Sequence, residues 1–209
     1  MSTAPIAPKR HALGLPAGSV RAAHVLGVVG ILCAVILIPP KGEQPTVLPP
    51  YLIYLLFLML GHYFAAHGVS IATRDDPAPS PLYLPGGVVR MLIVIALGTC
   101  IGWKLYDDHV GLVRQFDASL EALKWQPLLP IVILGSFLVG ALVNAVLRAE
   151  ASRVRQDLEA WFSLIALVGL GIAAVMHTII GPSMAEGVSW PILEAILGGM
   201  IAFYFGARS

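Results

Sequence analysis

Charge is scarce in this chain: Asp, Glu, Lys and Arg make up 12% of 209 residues, roughly half the share of an ordinary soluble domain. With 57% hydrophobic residues, there is too little polar surface to clothe a water-soluble core. The bilayer is therefore the expected solvent. A formal net charge of +1 supplies no basic footprint, so nucleic acid is not expected as a partner. Only two cysteines occur, Cys33 and Cys100, both in apolar runs. Their separation fits no zinc or disulfide framework, and they read as small buried hydrophobes. Nucleophile–base pairs and phosphate-binding loops are also missing: Ser136, in LGSFLVG, has no histidine in the last apolar run to act as its base. No catalytic residue is assigned, and the chain reads as non-enzymatic.

What the chain has is long apolar runs. Six of them, Ala22–Ile38, Tyr51–Ala72, Val88–Tyr106, Leu128–Leu147, Phe162–Ile180 and Pro191–Phe205, predict membrane-spanning helices. In lipid every backbone polar group needs an internal partner, and continuous rather than alternating apolar runs exclude a barrel. The expected fold is an all-α polytopic transmembrane helix bundle. It divides into an irregular cytoplasmic arm (1–21), a six-span domain (22–206) and a short tail (207–209). Lys9 and Arg10 precede the first run, but Ile38-Pro39-Pro40-Lys41 is no signal-cleavage site, so that run is read as a retained helix. Placing both termini in the cytoplasm puts nine of the thirteen basic residues on that side, as the positive-inside bias requires. Trp103, Trp125, Trp161 and Trp190 then fall near the two interfaces. The expected location is the cell membrane, in the manner of a bacterial inner-membrane protein.

The connecting segments carry patterns of their own. The proline-rich segments PPKGEQPTVLPP and RDDPAPSPLYLPGG predict stiff connectors, the second also a docking strip. In the second outer loop Val113, Phe116, Leu120 and Leu123 recur at helical steps. That pattern predicts an amphipathic helix lying on the outer membrane surface, with the same face available to pack on neighbouring helices. In the second inner loop Leu147, Val154, Leu158 and Trp161 share one side of a predicted helical extension. Charge pairs Glu150–Arg153 and Arg155–Glu159 decorate its other, solvated side.

Polar groups inside the spans are the candidate site residues. Glu194, about one turn into the sixth span, is expected near His177 and Lys104 as a polar intramembrane cluster. His62 and His67 lie within the second span. Five residues apart, they sit ~140° apart on a helix, so one metal cannot take both. Either one offers a ligand for haem or a transition metal with partners from other helices, His24 among them. The leading expectation is that no cofactor is bound. Small residues at four-residue steps, Gly30 and Ala34, Ser136 and Gly140, and Gly198, Ala202 and Gly206, mark places where helices pack closely.

The leading functional reading is a structural or accessory subunit that binds other membrane proteins or self-associates within the bilayer. A small transporter or channel using His177, Glu194 and Lys104 is the alternative, and an intramembrane haem or metal carrier a further one.

Overall fold

A computed structural model describes residues 12–16, 18–38, 47–68, 81–84, 87–124, 126–147, 153–180 and 191–208. Every element among them is helical: α1 (Ser19–Leu37), α2 (Pro50–Gly68), α3 (Val88–Lys124), α4 (Leu128–Leu147), α5 (Arg153–Val175) and α6 (Pro191–Gly206). A π-turn, Met176–Ile180, extends α5, and short 3-10 turns lie at Ala12–Gly14 and Pro81–Tyr83. Proline opens α2 and α6, where its missing N–H has no intrahelical partner to lose. Four helices are long and apolar enough to cross a bilayer: α1, α3, α4 and the stretch Val154–Thr178. Pro50–His62 and Ile192–Gly206 are shorter apolar stretches. Together they form a membrane helix bundle. The connectors 39–46 and 69–80, and with them most of both proline-rich segments, lie outside the described residues.

Successive helices run up and down. Near one end Arg21 meets His62 and the Arg208 carbonyl, so the start of α1 lies beside the second halves of α2 and α6. Near the other end Gln115 and Ser119 reach the end of α1 and the start of α2. Helices α1, α2, α6 and α5 close a ring, each packed on the next. Helix α3 flanks the ring along α1, and α4 flanks it along α6. Half of α1's apolar window is buried (50%), against 17% for α4. Helix α1 is the most enclosed of the four long apolar helices, and α3, α4 and α5 present most of their surface outward.

Three boundaries differ from expectation. Helix α1 starts at Ser19, inside the segment expected to be irregular, after Gly18 takes a left-handed conformation (φ 82°). Helix α3 runs on to Lys124 without an intervening loop, broken only at Asp108, whose backbone is extended (φ −151°, ψ 76°). Asp108 Oδ1 accepts the Gly111 N–H at 2.8 Å, which makes it the N-cap of the second half. Asp108→Ala is expected to cost about 1 kcal/mol. Hydrogen exchange should rise across 109–124 and stay unchanged across 88–104; uniform exchange along α3 would count against the cap.

The third difference concerns both amphipathic segments. In α3 the residues turned inward are Leu112, Gln115 and Ser119, while Val113, Phe116 and Leu120 are exposed. Ser119 Oγ accepts the Leu48 N–H at 2.9 Å and donates to the Gln115 carbonyl at 2.6 Å. Packing on neighbouring helices therefore uses the more polar face, not the apolar one. In α5 Val154, Leu158 and Trp161 are exposed too, and Arg155 and Glu159 are partly buried. The apolar stripe of α5 thus begins at Val154 rather than Phe162. From there to Val175 it covers ~32 Å at ~1.5 Å per residue, close to the ~30 Å of bilayer hydrocarbon. When lipid is the solvent, an apolar stripe marks the outside of the protein.

Candidate functional site: the polar clamp joining four helices

The densest set of polar contacts lies where the start of α1 meets α2, α5 and the end of α6. Arg155 Nε donates to Glu159 Oε1 at 2.8 Å, one turn along α5. Glu159 Oε2 stands 3.5 Å from Arg208 Nη2, beyond the end of α6. Arg208 Nη2 also donates to the Gln156 carbonyl at 3.2 Å, and its guanidinium lies 5.8 Å from the Tyr204 ring centroid. Arg21 Nη1 donates to the Arg208 carbonyl at 3.3 Å, supplying the end of α6 with a donor that the helix itself lacks. A cation there also suits the helix dipole. Glu159 and Arg208 thereby tie α5 to the end of α6, and Arg21 ties that end to α1. The expected pair Arg155–Glu159 forms within α5 and is partly buried rather than solvated.

Helix α2 joins through His62. Arg21 Nη1 lies 3.3 Å from His62 Nε2. A guanidinium can only donate, so Nε2 is the acceptor and the neutral ring carries its proton on Nδ1. The His62 ring packs edge-on against Phe137 of α4 and Phe205 of α6. Phe205 also meets His24 edge-on, and His24 stacks on Tyr204 with centroids 5.4 Å apart. His24 is fully buried; its Nδ1 bonds the Val20 carbonyl at 2.7 Å. At His62, Nε2 faces the Arg21 guanidinium and aromatic rings pack on the imidazole. Among the described residues there is no group of three or more His, Cys, Asp or Glu that could hold a metal ion. Position 67 lies in α2, and its side chain is outside the described set.

The other expected cluster is not joined. Lys104 is buried on α3 and pairs with Asp108 one turn on, at 3.9 Å, while α3 packs on α1 and α2. His177 stands in the π-turn after α5. Glu194 is buried in the first turn of α6, where the helix dipole favours a carboxylate; Tyr51 of α2 lies within its electrostatic reach. Among the described residues no hydrogen bond or ion pair joins any two of Lys104, His177 and Glu194. Tyr51 instead donates to the Leu170 carbonyl at 3.3 Å.

Small residues decide how closely the helices approach. A Cβ on Gly140 would collide with the Phe203 carbonyl, and one on Gly206 with the Phe137 carbonyl. Helices α4 and α6 therefore touch backbone to backbone, each through its own glycine. Ser136 opposes Gly199, not Gly198, which faces Ile133 and Leu55 at ordinary contact distance; Ala202 is fully buried. Above this contact, between α4 and α5, lies an apolar groove of about 490 Å³, lined by residues including Ser136, Ser163, Gly199, Phe203 and Tyr204, with Glu159 among its walls. Gly30 and Ala34 are exposed on α1. Gly98 and Gly102, at the same four-residue step, are exposed on α3, and a Cβ at Gly30, Gly98 or Gly102 would meet nothing within 4 Å. The G-x-x-x-G spacing of Gly98 and Gly102 was legible in the sequence; its outward direction was not. Comparison with protein-family models, curated proteins and solved structures finds no match to this chain.

Proposed function

We propose that this chain is a non-enzymatic, six-span membrane protein that works by lateral association, as a structural or accessory subunit. It contacts a helix of a partner membrane protein or of a second copy of itself. The observation that carries the reading is the outward glycine pair on α3, Gly98 and Gly102, together with the exposed Gly30 and Ala34 on α1. A glycine costs a helix roughly 1 kcal/mol relative to alanine and gives lipid nothing to pack on. Two at a four-residue step on an outward face suit close approach by another helix backbone. The clamp supports the same reading, because its charges are engaged with one another and with helix ends. Both termini are placed in the cytoplasm on the basic-residue bias, with the clamp at the cytoplasmic end of the bundle and the cell membrane as the location.

Gly98→Leu and Gly102→Leu test this directly. Each is expected to abolish the association seen by sedimentation in detergent and by mass spectrometry of co-purifying proteins. Thermal stability should not fall below the parent's, because leucine is a better helix former than glycine and a Cβ at either position meets nothing within 4 Å. Unchanged stoichiometry and an unchanged set of co-purifying proteins in both variants would overturn the proposal.

A further inference from the structure

Cys33 on α1 and Cys100 on α3 are the only cysteines in the chain. Sequence spacing gave no reason to pair them, yet the α1–α3 contact brings them together. The Cys100 thiol donates to the carbonyl of Cys33 itself, Sγ to O at 3.6 Å. The Cys33 thiol donates in turn to the Ala96 carbonyl, one turn before Cys100, at 3.7 Å. Each thiol therefore reaches across to the facing helix, within one turn of the other cysteine. A disulfide needs two cysteines on facing segments with Cα atoms roughly 4.4–6.8 Å apart, and the paired thiol–carbonyl contacts put Cys33 and Cys100 on facing turns of α1 and α3. Cys100 is buried, whereas Cys33 is half-buried with its sulfur at the bundle surface. One turn beyond Cys100, on the same buried side of α3, stands Lys104.

We propose that Cys33 and Cys100 are a redox-active pair that closes into a disulfide joining α1 to α3. The two S–H bonds break and one S–S bond forms. Two electrons and two protons pass to a membrane-soluble acceptor of the quinone class, which leaves as the hydroquinone. A lipid-borne acceptor is required because both thiols lie within apolar helix walls, and Cys33 opens toward the lipid-facing surface. Reduction by a hydroquinone or a dithiol reverses the step. The bridge forms within one chain, so it is independent of the proposed association.

The test uses the full chain in proteoliposomes, oxidised with decylubiquinone or with diamide, a chemically unrelated membrane-permeant oxidant. The protein is then denatured in SDS with N-ethylmaleimide and weighed intact. The reduced protein is expected to take two adducts, and the protein oxidised by either reagent none, with a mass lower by two hydrogens. Dithiothreitol should restore both adducts. Cys33→Ser should take one adduct under every condition. Two adducts after both oxidants, or a dimer bridged through Cys33 of two copies, would overturn the intrachain pair. Closure by diamide alone would overturn the quinone as acceptor.

Discussion

Gly140→Leu and Gly206→Leu are each expected to force α4 away from α6 and to destabilise the bundle by about 3 kcal/mol, the upper part of the range for overpacking. The reason is what the new side chain would meet. At both positions the first Cβ already collides with backbone of the facing helix, the Phe203 carbonyl for Gly140 and the Phe137 carbonyl for Gly206. A flexible side chain can swing aside; a carbonyl held in a helix cannot. Even alanine should therefore destabilise at these two positions, despite its better helix propensity. Gly198→Ala is the control, because its Cβ would stand 3.6 Å from Ile133 and 3.8 Å from Leu55, and it should be no less stable than the parent, gaining up to about 1 kcal/mol from helix propensity. Thermal unfolding of the purified variants in one detergent measures all of them. Equal stability of Gly206→Leu and Gly198→Ala would mean that α4 and α6 do not touch where described.

Removing Glu159 should have a comparable effect for an electrostatic reason. Its two oxygens serve Arg155 and Arg208, and the side chain is only 16% exposed. Glu159→Ala leaves the Arg155 and Arg208 guanidiniums without the carboxylate they share. Breaking a fully buried pair costs roughly 3–5 kcal/mol. Arg155 and Arg208 remain 31% and 22% exposed, so water and headgroups screen part of that, and about 2 kcal/mol is expected here. Adding Arg208→Ala should recover part of the loss, since one of the stranded charges goes with it. A double-mutant cycle on unfolding free energies reads the coupling; strict additivity would remove Glu159 from the clamp.

Much of the architecture was legible because bilayer physics acts on single segments. Each apolar run falls on a helix, and Leu128–Leu147 is α4 as read from the sequence, whereas α3 continues to Lys124 and α5 begins at Arg153, well outside their runs. The Arg155–Glu159 pair was legible for the same local reason, being one turn apart on one helix. The candidate site was much less so. Lys104 was expected beside Glu194 from depth alone, but α3 leans on α1 and α2, and the lysine turns to Asp108. His62 was legible as an intramembrane polar group, but its neighbour Arg21, distant in sequence, was not.

The amphipathic segments show the same division. Periodicity places Val113, Phe116 and Leu120 on one face, and Val154, Leu158 and Trp161 on another. It does not say whether that face looks inward or outward. In water the apolar face turns in; in a bilayer it turns out, and both of these do. The inward faces are held by hydrogen bonds such as Leu48 N–H to Ser119 Oγ, which no local pattern announces.

By itself, then, the amino-acid sequence determined the solvent, the helical class and the approximate extent of each helix. These follow from hydrophobic length and from backbone hydrogen bonds that each segment satisfies alone. Only the tertiary structure decided which helices touch, that Gly199 rather than Gly198 meets Ser136, that Gly98 and Gly102 face outward, and that Cys33 finds Cys100. Each of those depends on the rotation of one helix against another. That rotation is set by close packing of backbones and a few long-range polar contacts, quantities that belong to pairs of helices and to no single stretch of chain.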